Sequence, residues 1–278
     1  MGESGAGPSG VARREACSSR GRGKVIVTQL SKEARPWAHR ASAAPPVVSI
    51  CLLGGFELRL DGQPVLLPQS AKRLLVFLAL VGHRPMARSY VSQSLWLGAT
   101  ERHADGNLRS ALWKVGQFGA SAIHVSRGQL VLAPRVTVDY QESAALALDL
   151  LHDTKHLSEW EIDEETFTRD LLPDWYDEWI VAERERYRQL RLHALEDLCL
   201  EHVSRRRFGR AIQAGLAAVA GEPLRESANQ ALIHAYLAEG NAAEAIRHYH
   251  SFRDLLWDEL RVPASSAMSQ LIEELAER

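Results

Sequence analysis

Residues 104–117 read ADGNLRSALWKVGQ, and residues 123–132 read IHVSRGQLVL. At about 100° per residue, the first stretch is a helix with two faces. Leu108, Ala111, Leu112 and Val115 share one side. Arg109, Ser110, Trp113, Lys114 and Gln117 share the other. The second stretch is a tight hairpin, Ile123–Val125 and Leu130–Leu132, with Arg127-Gly128 at its tip.

The upstream residues supply the rest of a small domain. Val47–Leu53 is a continuous apolar run and reads as a strand, interrupted by Gly54-Gly55. Phe56–Leu60 alternates apolar with charged, Asp61-Gly62 is a turn, and Val65–Leu67 returns as a short strand. A helix begins at Gln69-Ser70, with Leu74, Leu75, Leu78 and Ala79 as its stripe, and ends at Gly82 and Pro85. Ser89 caps a second helix running through Trp96, and residues 97–105 are a loop. Strands, three helices and a basic hairpin, in that order, outline a winged helix. In that arrangement the third helix lies in a major groove and the wing touches the neighbouring backbone.

Charge is divided unevenly along the 278 residues, behind a net charge of only −2. Residues 1–46 hold 8 Lys/Arg against 3 Asp/Glu. Residues 47–140 hold 10 against 5. Residues 141–278 hold 15 against 27. A basic half that meets phosphates and an acidic half that stays off them is the expected consequence. Residues 1–46 are rich in Gly, Ser, Ala, Pro and Arg and are expected to be a largely disordered basic extension. Two roles fit it equally: weak, non-specific attraction to phosphate, or none.

A second unit begins near Val138. Ser143–Leu151 is helical, and residues 152–173 are less regular and acidic. Residues 175–202 form one long helix that buries Trp179, Ala182, Tyr187, Leu190, Leu195 and Leu198; the acidic-aromatic run PDWYDEW (173–179) either leads into it or binds a partner. A 34-residue offset then aligns Ala194 with Ala228, Leu198 with Leu232, His202 with Tyr236, Ala211 with Ala245, and Ile212 with Ile246. That period, with small residues where backbones approach and large ones between, belongs to tetratricopeptide helix pairs. Such pairs stack only on their neighbours and leave a groove. Arg205, Arg206, Arg207 and Arg210 form a basic cluster, read as a solvated inter-helix loop, with a partner-binding or interdomain role as the alternative.

In the first half, Arg109 is suited to a bidentate bond with guanine, and Ser110, Lys114 and Gln117 to base edges or phosphates. Asn107, at the edge of the two faces, either caps or contacts phosphate. Two roles fit Trp113: packing against the wing or the loop at 97–103, or stacking on sugar-phosphate. Lys72, Arg73, Arg84 and Arg88 lie near helix starts, where phosphate is attracted, and are either backbone contacts or plain surface charges. Arg127 at the wing tip is a candidate for the minor groove or phosphate.

No catalytic set emerges, so an enzyme is not expected. There is no HExxH among the 11 histidines, and GRGK at 21–24 lacks P-loop spacing. Glu164-Glu165 has no apolar shielding to raise a pKa. Cys17, Cys51 and Cys199 match no zinc spacing and suit a reducing cytoplasm. No cofactor, no metal and no membrane span are expected.

LLGGFELRLDGQPVLLPQSAKRLLVFLAL (52–80), SLW (94–96) and NLRSALWKV (107–115) together resemble the OmpR-type winged-helix module of the SARP/AfsR regulators. DLLPDWYDEWIVAERERYRQLRLHALEDL (170–198) and EPLRESANQALIHAYLAEGNAAEAIRHYHSFRDLLWDELRVPAS (222–265) resemble the bacterial transcriptional activator domain that follows it. The ending ELRVPAS departs from the more usual form, which has glycine after the leucine. The resemblance implies an α+β chain: a winged-helix domain at 47–140 and an all-α tetratricopeptide-like domain at 141–278. It also implies a DNA-binding transcriptional activator that recognises repeated promoter half-sites and helps RNA polymerase bind, self-associating on the DNA. Asn107, Arg109, Ser110, Trp113 and Lys114 would lie in its recognition helix. The short form of the family is implied, without ATPase, sensor or receiver modules. The rival reading is a helical-repeat adaptor whose winged helix binds protein.

Overall fold

The computed structural model describes residues 47–117, 122–152 and 162–276, with side chains described as far as residue 272. The extension expected at 1–46 lies outside the described residues, as does Cys17.

The chain enters a four-stranded sheet of order β3-β2-β1-β7. Strand β1 (Val48–Cys51) pairs antiparallel with β2 (Glu57–Leu60), which pairs with β3 (Gln63–Val65). Asp61 and Gly62 both take left-handed backbone, φ 49° and 79°. The turn is therefore two residues long, and pairing resumes at once with Leu60 opposite Gln63. This moves β3 two residues ahead of the expected Val65–Leu67 and leaves Leu66 exposed. β7 (Val136–Val138) was not anticipated as a strand. It adds parallel to β1, with Val48 opposite Val136.

Three helices follow the first hairpin. α1 (Gln69–Val81) buries Ala71, Leu74, Leu75, Val76, Phe77, Leu78 and Ala79, and Gly82 ends it at φ 78°. Met86–Ala87 is a two-residue strand, β4, so the chain passes straight from strand to helix. α2 (Arg88–Leu95) therefore starts with Ala87 at its cap, and the expected cap Ser89 lies inside the first turn. α3 (Glu101–Gly116) starts three residues earlier than the sequence suggests. Ala104 and Leu108, both buried and four apart, carry the helix through Asp105-Gly106, and Glu101 suits the positive end of the helix dipole. The wing is β5 (Ile123–Ser126) and β6 (Gln129–Leu132), joined by Arg127-Gly128 at φ 48° and 76°. β4 pairs with β6 to make a small sheet of order β4-β6-β5.

α4 (Asp139–His152) follows β7 directly. Beyond it, Glu164–Phe167 forms a 3-10 turn. The long helix, α5, is Glu178–Ser204. It starts three residues later than expected, because the carbonyls of Leu171, Leu172 and Trp175 bind the Arg184 guanidinium and the chain stays non-helical until Asp177. Its inward stripe includes Ile180, Tyr187, Arg191, Leu195, Leu198 and His202. Ala182 is exposed, and Trp179 and Leu190 are half-buried, contrary to the expected burial.

The 34-residue offset is visible as two helix pairs. α5 packs on α6 (Phe208–Gly221), and α7 (Glu226–Glu239) on α8 (Ala242–Leu260). Ala194, Ala228, Leu198, Leu232, Ala211 and Ala245 are all buried. Ile212 is half-buried and its counterpart Ile246 exposed, so the match fades on the outer side. α6 and α7 approach closely at Gly215, where a Cβ would lie 3.0 Å from Leu232 Cδ1. α9 (Ser266–Ala276) lies against α8.

The core under the winged helix does not stop at residue 140. Tyr140, Leu171, Leu172, Ile180 and Tyr187 join Val48, Ile50, Leu52, Leu74, Leu108 and Leu130 in one buried cluster. The Asp139 carboxylate accepts from the amides of Leu52, Leu53 and Tyr140. Gln141 Nε2 donates to the Ala79 carbonyl, and Leu172 N to that of Leu52. The described residues thus fall within one packed unit. No helix among them is long and apolar enough to cross a membrane.

Candidate nucleic-acid interface

α3 is held from one side only. Ala104, Leu108, Ala111 and Val115 are buried against α1 and α2. Burying one leucine such as Leu108 contributes about 1.5–3 kcal/mol, enough to fix which face points outward. On the opposite side Arg109, Ser110, Trp113 and Gln117 are exposed together. Trp113 retains 64% of its surface, so it packs neither under the wing nor under the preceding loop, which extends only from Trp96 to Thr100. A large, flat, amphipathic ring held in solvent on a cationic face is suited to stacking on sugar or base.

The other sequence candidates separate by their surroundings. Lys114 is half-buried, and its Nζ donates to Ser70 Oγ at 3.3 Å, which brings the end of α3 beside the first turn of α1. Asn107 is exposed, but lies about 120° round the helix from Trp113. Lys72 stands 5.8 Å from the centre of the Phe56 ring. Arg73 is turned to Asp177, with Nη2 donating to Oδ1 at 2.6 Å. Its side chain is thereby committed to an ion pair, a partner the sequence reading did not foresee. Arg88 is half-buried at the start of α2, where its amide donates to the Gly128 carbonyl of the wing turn. That bond ties the wing tip to the helix-turn-helix. Arg127, at the tip itself, is exposed.

Arg59 pairs with Glu57 and Arg73 with Asp177, but most described arginines of the first half make no such contact. Among the described residues, Arg84, Arg88, Arg102, Arg109, Arg127 and Arg135 form no side-chain hydrogen bond or ion pair. Arg186, Arg188, Arg191, Arg205 and Arg225 are each paired with a carboxylate. In the cluster at 205–210, Arg205 Nη2 lies 2.7 Å from Glu201 Oε1. Unpaired guanidinium groups on a surface are what a polyanion meets.

Arg102 was missed by the sequence reading. It is exposed and falls on the same stripe as Arg109 and Trp113. The signal was present, an arginine seven residues before Arg109, but it lay in residues read as loop. Among the described residues, no group of three His, Cys, Asp or Glu is placed to hold a metal ion. Cys199 is buried, which pushes its thiol up to about 12, and Cys51 is raised by partial burial.

Comparison with known proteins bears on both halves. Residues 141–276 match the family model of the bacterial transcriptional activator domain. No curated protein matches the chain. A solved structure of Mycobacterium tuberculosis EmbR in complex with a low-affinity phosphopeptide is similar, with a TM-score of 0.66 and 18% identity. The likeness covers 84% of this chain and 65% of that one, so this chain spans less than two thirds of its length. At that identity the likeness is one of fold, a winged helix followed by helical repeats. Residues 141–276, just under half of the chain, are thus similar to the bacterial transcriptional activator domain family, and the fold as a whole is similar to that of EmbR.

Proposed function

We propose that the chain binds double-stranded promoter DNA, with α3 in the major groove and the 123–132 hairpin against the adjoining backbone. The observation that carries this reading is the outer face of α3, where Arg109, Ser110, Trp113 and Gln117 are exposed and the arginines are unpaired. Arg127 at the wing tip and Lys114 beside the α1 start extend the same positive surface. Protomers bind side by side on repeated half-sites, about 10–11 bp apart so that they share one face of the duplex, and the complex assists RNA polymerase. The family of residues 141–276 supports the activating role. The acidic second half suits contact with protein more than with phosphate.

A gel shift on duplex fragments from upstream of the chain's own gene, repeated across a salt series, tests this. The expected result is a retarded band whose affinity falls steeply as salt rises. An adaptor that uses its winged helix on protein gives no shift and little salt dependence.

A further inference from the structure

The reading of α3 as the DNA-facing helix leaves open which bases it prefers, and its outer stripe bears on that. Arg102 and Arg109 lie seven residues apart, nearly two full turns, so they project from one side of the helix about 10 Å apart. Both side chains are exposed, and neither makes a hydrogen bond or ion pair among the described residues. Between them on the same stripe is Gly106, in the middle of a sixteen-residue helix. A glycine there costs about 0.5–1 kcal/mol relative to alanine. It is no tight packing site: a Cβ built on Gly106 meets only the Arg109 guanidinium, at 3.9 Å. Gly106 is half-buried with the Arg109 guanidinium beside it, and the missing side chain leaves a notch between the two arginines where helix backbone can approach a groove floor closely.

We infer that Arg102 and Arg109 are a pair of guanine readers, each bidentate to O6 and N7. Each half-site then carries two G·C pairs about three base pairs apart, since duplex rise is about 3.4 Å per pair. Gly106 admits the base edges between them. This inference rests on the proposed DNA-binding reading and adds Arg102 as a specificity-determining residue.

The test is selection of binding sites from randomised duplexes by the full chain, followed by the same selection with Arg102→Ala and with Arg109→Ala. The expected consensus has two guanine positions about three base pairs apart. Arg102→Ala relaxes one and Arg109→Ala the other, each by about tenfold in preference. A consensus unchanged by Arg102→Ala, with affinity lowered equally on all duplexes, makes Arg102 a phosphate contact and overturns the pair. Gly106→Leu checks the notch separately from folding. The expected outcome is loss of selective binding with a thermal midpoint no lower than that of the parent chain, and retained selectivity overturns the notch. If the parent chain enriches no duplex at all, the DNA-binding reading itself has failed, an outcome distinct from the others.

Discussion

The Arg73 guanidinium, one turn into α1, donates to the Asp177 carboxylate at 2.6 Å across 104 residues of chain. Asp177 occupies the N-cap position of α5, yet its side chain makes no capping hydrogen bond. It forgoes the cap to hold the winged helix. Both side chains are about three-quarters buried, so solvent screens the pair only in part. A double-mutant cycle with Arg73→Ala and Asp177→Ala is expected to give a coupling of about 1 kcal/mol in thermal or denaturant unfolding. Because Arg73 is engaged, Arg73→Ala should leave the salt dependence of DNA binding unchanged. A slope reduced by about one would place Arg73 on a phosphate.

Arg109 and Arg127 are expected to fail differently. Arg109→Ala should cost about 1–3 kcal/mol on the preferred duplex and much less on random duplex, because a base contact is lost. Arg127→Ala should weaken both duplexes alike and lower the salt slope by about one. Equal loss on specific and random DNA for Arg109→Ala contradicts its base-reading role.

Gly215 brings α6 against α7. A Cβ there would lie 3.0 Å from Leu232 Cδ1 and 3.2 Å from its Cα. The backbone atom cannot turn aside, so Gly215→Val should force the two helices apart and destabilise the fold by about 1–3 kcal/mol. Equilibrium unfolding measures this, and an unchanged midpoint would show that the helices slide freely.

His202 carries a pH dependence. Burial holds its imidazole below the ordinary histidine range. Glu164, with Oε1 3.4 Å from Nε2, opposes that shift, and the Arg205, Arg207 and Arg210 charges add to it. His248 is lowered by burial as well, with its Nε2 on Asn229 Oδ1. A histidine depressed in the folded state takes its proton more readily when unfolded. Its contribution is therefore complete above pH about 6.5 and is lost as pH falls below that value toward the folded pKa. The thermal midpoint should drop on acidification below about pH 6.5, and His202→Gln should flatten part of that drop. An identical pH profile for parent and variant would exclude His202 as a source.

Much of the architecture can be read from one dimension, because periodic burial writes itself into local order. The α3 stripe of Leu108, Ala111 and Val115, the Asp61-Gly62 and Arg127-Gly128 turns, and the 34-residue offset of Ala194 and Ala228 are all short-range patterns. Each is set by the 3.6-residue period, by left-handed backbone, or by a repeat of similar helices. The outward position of Arg109 and Trp113 follows from the same stripe.

Other features depend on residues distant in sequence. The parallel pairing of Val136–Val138 with β1 requires two segments about 88 residues apart to meet, and no local pattern records that choice. Arg184 and Arg191 interrupt the apolar period of α5 although they lie on its inward side. Their guanidinium groups are accommodated because the carbonyls of Leu171, Leu172, Trp175 and Phe167 converge on them from a loop. Which arginines stay unpaired was likewise settled in three dimensions. Charge alone does not distinguish Arg73 from Arg102; the position of Asp177 does. The sequence by itself determined the elements and their faces, since these follow from neighbours within a turn. Only the tertiary structure decided the partners, because a hydrogen bond or ion pair depends on which distant groups the fold brings within about 3 Å.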